Sequence, residues 1–147
     1  MDVTLVQKHI DSVLAEKKVN YFYGGSQRFG FANEKSDLDV FLFVSSLDTD
    51  QDWLINEFGL EVVENPYPLN RSVGFKTKVF NVKVDFIVIL SESYFNALKK
   101  EHLAVEAFLI SNLTVGRLIK TLKKMDSEHT IKGALIYKAL LRLAEDR

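Results

Sequence analysis

The chain has 147 residues, 47% of them hydrophobic and 27% charged, with a formal net charge of −1 and no cysteine. That is enough length for one domain with a real core, and the charge gives no global pull toward nucleic acid or anionic membrane. Without cysteine, disulfides, thiol catalysis and thiolate metal sites are excluded, which is compatible with the cytoplasm. The N-terminus lacks a basic segment followed by an apolar run. The longest apolar stretches, Leu38–Val44 and Phe86–Leu90, fall far short of the roughly 20 residues that span a bilayer. A cytoplasmic protein with no membrane partner is expected.

Residues 3–18 place Val6, Ile10, Val13 and Leu14 on one helical face. Val19–Tyr23 is β-branched and aromatic, a short strand stopped by Gly24-Gly25. Ser26 is a candidate cap for a helical turn that Gly30 breaks, and residues 32–36 form a polar loop. Leu38–Val44 reads as a buried strand. Asp48, Thr49 and Asp50 offer capping oxygens to a helix carrying Trp53, Leu54 and Phe58 and ended by Gly59. Residues 60–64 fit a short strand, and 65–72 hold both prolines in a loop. Val73–Phe80 and Val82–Leu90 read as strands of a hairpin turning at Asn81. Three helices follow, with Ser91, Thr114 and Ser127 as candidate caps. The order predicts one α+β domain over 1–147, with a core at about 19–90 and a helical portion at about 91–146.

The chemistry concentrates in two places. Gly25-Ser26 is followed by ten residues and then Asp37-Leu38-Asp39. Carboxylates one residue apart on a strand point to the same face. Asp85 interrupts the apolar run Val82–Val88, where an unpaired carboxylate is costly to bury. A glycine–serine turn, a paired-aspartate strand and a later strand aspartate, in that order, resemble the DNA polymerase β-like nucleotidyltransferase superfamily. The resemblance covers roughly residues 20–90, including the step Phe29-Gly30-Phe31-Ala32 before Ser36-Asp37.

The resemblance implies a mixed sheet flanked by helices and transfer of a nucleoside monophosphate from a triphosphate, with ATP the expected nucleotide, to an acceptor hydroxyl. Pyrophosphate would leave. Two divalent ions, Mg²⁺ or Mn²⁺, stabilise both ends of such an in-line displacement and need hard oxygen ligands. By resemblance, Asp37 and Asp39 hold the nucleotide-side ion, and Asp85 completes the second site and helps deprotonate the acceptor. Gly25, Ser26, Arg28 and Ser36 are the implied nucleotide-binding residues, the turn bringing backbone N–H groups close to phosphate oxygens. Many members carry arginine just after the serine or just before the later glycine. Here those positions are Gln27 and Phe29, with Arg28 between them.

The acceptor is open among a protein, a small molecule and an RNA end. Minimal members often pair with a HEPN-type toxin and modify it, so such a toxin or a second copy is an implied partner. The near-neutral charge weighs against a long nucleic acid. The alternative is a non-catalytic nucleotide-binding or interaction module on the same fold. Lys76, Lys78, Lys83 and Arg71 near Asp85 fit either a phosphate-binding patch or edge-protecting lysines. Tyr67 and Arg71 are candidate base or acceptor contacts. His9, His102 and His129 lie far apart in sequence, as for structural histidines.

Overall fold

The structure is a computed structural model describing residues 3–32, 36–59, 61–63, 72–126, 128 and 130–146. Tyr67, Arg71, Ser127 and His129 lie outside the described residues. The chain runs α1 (Val3–Glu16), β1 (Asn20–Gly24), α2 (Gly25–Phe29), β2 (Leu38–Phe43), α3 (Leu47–Phe58), β3 (Glu61–Val63), β4 (Ser72–Val79), β5 (Val82–Ile89), α4 (Glu92–Ser111), α5 (Leu113–Met125) and α6 (Gly133–Glu145). The five strands form one mixed sheet in the order β1-β2-β5-β4-β3. Only β2 and β5 pair in parallel; the other three pairings are antiparallel. An α+β architecture is what the pattern predicted.

The alternation of side chains divides the sheet into two unlike faces. Leu38, Val40 and Leu42 of β2 and Val82, Val84, Phe86 and Val88 of β5 bury one face against Val6, Ile10, Val13 and Leu14 of α1 and Leu54 and Phe58 of α3. Burying a side chain of this kind stabilises the fold by about 1.5–3 kcal/mol each. Tyr21 and Tyr23 lock α1 to β1, both donating to Asp11 Oδ1 at 2.6 Å.

The opposite face carries Phe22, Phe41, Ile87 and Ile89, covered by Phe95 and Leu98 of α4. That cover reaches only part of the face. Beyond it lie Asp39, Asp85, Lys76, Lys78 and Lys83, which by register occupy the same side. A third cluster joins Phe31 to Val105 and Phe108 of α4 and Leu140 of α6, folding the last helices back beside α2.

Several local expectations shift. The hairpin turns on two residues, Phe80 and Asn81, both at positive φ (49° and 66°), as a tight two-residue turn demands. Ser91 does cap α4, accepting from Tyr94 N at 3.3 Å. Ser26 lies inside α2, whose cap residue is Gly24. Thr114 lies inside α5, which begins after Asn112. α6 begins only after Lys132. α3 starts earlier than predicted, after Ser46, and Asp50 instead accepts from Trp53 Nε1 at 2.7 Å. Gly30 and Gly59 end their helices in the left-handed conformation, as read.

Candidate active site

The site forms where β2 and β5 run side by side. Asp39 is the register partner of Asp85 on one side of the sheet and of Gly24 on the other. Asp37, two residues before Asp39, lines the same cavity, and its charge acts on both Asp39 and Asp85. Three acidic groups thus meet on the uncovered part of one sheet face.

The Gly25 turn closes the site. Gly25 has φ +68°, and a Cβ there would overlap Asp39 Oδ2. Both conformation and space require glycine. Gly24 has an extended backbone, so its requirement is different: a Cβ would lie 2.5 Å from the Phe41 ring and 2.8 Å from His102 Nε2. It is the last residue of β1, packed close, rather than a free turn residue.

Electrostatics mark these carboxylates as costly. Burial pushes Asp39 up to about 7, with Asp85 and Asp37 adding repulsion and Lys76 opposing it. Burial and the Asp37 charge raise Asp85 as well, again against Lys76. Asp85 Oδ1 is buried with no hydrogen-bond partner. Such an orphan atom among repelling acids suits a cation ligand, and carboxylate oxygens favour magnesium or manganese. As they stand, no three Asp, Glu or His side chains among the described residues are arranged to hold a metal ion.

A cavity of about 560 Å³ opens from Gly25, Ser26 and the three aspartates toward α4, α5 and α6. Its far wall is aromatic. Phe29 stacks on His102 (centroids 5.7 Å apart) and on Tyr137 (6.1 Å). Lys123 and Lys138 also line it.

Of the predicted residues, Asp37, Asp39, Asp85, Gly25 and Ser26 line this cavity together. Arg28 and Ser36 are not in its lining. Arg28 is engaged elsewhere: Nε bonds Glu106 Oε2 at 3.1 Å, and Nη1 donates to the Tyr23 carbonyl at 2.9 Å. It ties α2 to β1 and α4. His102, to which the sequence assigns only a structural role, also belongs to the site. It is 3% exposed, in the cavity wall. Its Nδ1 lies 2.8 Å from the Leu98 carbonyl, which only accepts, so Nδ1 bears the hydrogen and Nε2 is an acceptor. Burial lowers its pKa to about 4, keeping the ring neutral. The signal was its place in the stripe Phe95, Leu98, His102, Val105, all buried on α4.

Conserved protein GrpB from Enterococcus faecalis is similar in structure, with a TM-score of 0.63 over 95% of this chain and 91% of that chain, at 16% identity. This chain shares that protein's fold. Weaker similarity extends to a cytoplasmic RNA terminal U-transferase (TM-score 0.35, 12% identity, 70% of this chain and 37% of that one). The Cid1 poly(U) polymerase gives 0.37 at 11% identity, over 72% of this chain and 35% of that one. The chain thus spans about a third of those two larger proteins. No protein-family model matches it, and no curated protein matches it by sequence. Among the described residues, no single helix is long and apolar enough to cross a membrane.

Proposed function

We propose that the protein is a divalent-cation-dependent nucleotidyltransferase. One observation carries the reading: Asp37, Asp39 and Asp85 converge on the uncovered sheet face, against a turn where only glycine leaves room for Asp39. Holding repelling carboxylates together costs stability, which a site for cations and phosphate explains.

Asp37, Asp39 and Asp85 would hold the cations. Bound there, the cations would neutralise charge on the phosphates and lower the pKa of the attacking hydroxyl. The Gly25-Ser26 turn orients the triphosphate, and the aromatic wall of Phe29, His102 and Tyr137 excludes water from the cavity. Asp85, with its unpartnered oxygen, takes the proton as the acceptor O–H bond breaks. A new bond joins that oxygen to the α-phosphorus, the α–β bridging bond breaks, and pyrophosphate leaves. ATP is the proposed donor nucleotide. With Arg28 turned to Glu106, Lys123 and Lys138 are the cations left among the described residues of the cavity wall to meet phosphate charge.

The test uses α-labelled ATP, CTP, GTP and UTP with Mg²⁺ or Mn²⁺ and a cell extract as acceptor source. Label is expected in an acceptor, and Asp37→Ala and Asp85→Ala are each expected to cut the transfer rate by at least about 100-fold. Nucleotide binding without label transfer or pyrophosphate release would leave the non-catalytic module as the better reading.

A further inference from the structure

Asp37 and Asp85 each line two cavities. The first holds Gly25 and Ser26. The second, of about 460 Å³, is walled by Lys76, Lys78, Lys83, Thr77 and Gly59. All three lysines are exposed, and Lys78 is the direct cross-strand partner of Lys83. Like charges directly opposite on a sheet are destabilising. Edge protection does not account for Lys76, because β4 lies between β3 and β5 and is not an edge there. Among the residues whose side chains are described, none of the three lysines is ion-paired; the ion pair found is Arg28–Glu106. The wall is built rather than loose, since Thr77 Oγ1 donates to the Phe58 carbonyl at 2.8 Å and fixes β4 to the end of α3.

We propose that this second cavity is the acceptor subsite and that it takes a small hydroxyl compound carrying a phosphate group. The inference rests on the transferase reading above. The aspartates form the shared wall, so a nucleotide on the Gly25-Ser26 side and an acceptor on the lysine side would meet at Asp85. Three ammonium groups act as point charges suited to a dianion. A carboxylate is more often matched by the planar fork of arginine, which is absent from the described lining of this cavity. The cavity's size is that of a small-molecule site.

Calorimetric titration would compare ribose 5-phosphate and glycerol 3-phosphate with ribose, glycerol, gluconate and a short single-stranded RNA. The proteins would be the wild type, Lys78→Gln/Lys83→Gln and Lys78→Arg/Lys83→Arg. The phosphorylated compounds are expected to bind, about tenfold more weakly in the Gln variant, with the Arg variant close to wild type. Phosphate compounds binding no better than ribose or gluconate, an unchanged Gln variant, or binding of RNA alone would overturn the proposal. Pyrophosphate release is read in parallel. Transfer that ignores the acceptor's phosphate removes this inference and spares the transferase. Phosphate binding without release under any nucleotide removes the transferase, and with it the acceptor role.

Discussion

Asp39→Asn is expected to raise the thermal midpoint at pH 8 by about 4–16 °C, and to abolish nucleotide transfer. The stability gain follows from linkage. Asp39 titrates at about 7 in the folded protein against an ordinary value of 3.8. A carboxyl raised on folding contributes stability that is fully present below its unfolded value and lost as pH rises through its folded one. At pH 8 the wild type has lost that contribution. That rise corresponds to roughly 4 kcal/mol at most, and relaxation of the pair with Asp85 brings the expectation to about 2–4 kcal/mol. At this chain length each kcal/mol moves the midpoint by about 2–4 °C. The gain should shrink as the pH is lowered and nearly vanish at pH 4. Melts of both proteins from pH 4 to 8 check it. A variant no more stable than wild type at pH 8 would mean the carboxylates are not held against their own repulsion.

Gly25→Ala should do the reverse, lowering stability and activity together. The left-handed φ of +68° costs a residue with a Cβ about 1–2 kcal/mol, and overlap with Asp39 adds roughly 1–3 kcal/mol by forcing the carboxylate away. Gly30→Ala is the control. Its φ is +81°, yet nothing lies within 4 Å of the added atom. Denaturant melts of the two variants separate conformation from crowding. Gly25→Ala should be the less stable by roughly 1–3 kcal/mol and should lose transfer, while Gly30→Ala keeps it. Equal losses in both would show that Gly25 serves the turn alone.

Local pattern and short-range chemistry were legible in the sequence. Strand alternation predicts that Asp37 and Asp39 share a face, although β2 begins only at Leu38, and Asp85 stands out against its apolar run. Both statements need only neighbours along the chain. What was not legible depends on distant segments. Arg28 looked available for phosphate until Glu106 of α4 came within 3.1 Å of it. Lys76 fitted a protected edge as well as a phosphate patch until β3 paired beside β4. The caps Ser26 and Thr114 failed for a milder reason, since Gly24 and Asn112, just upstream, already start those helices. His102 joined the site only because α4 folds back over the sheet beside Gly24.

The most direct measurement is Mn²⁺ binding, followed by electron paramagnetic resonance, with an ATP analogue whose α–β bridge resists cleavage. The wild type should bind the ion together with the nucleotide, and Asp39→Asn should bind it at least about tenfold more weakly, as expected for loss of a charged ligand. Equal binding by the two proteins, or none in either at millimolar Mn²⁺, would contradict the carboxylate site on which the account depends.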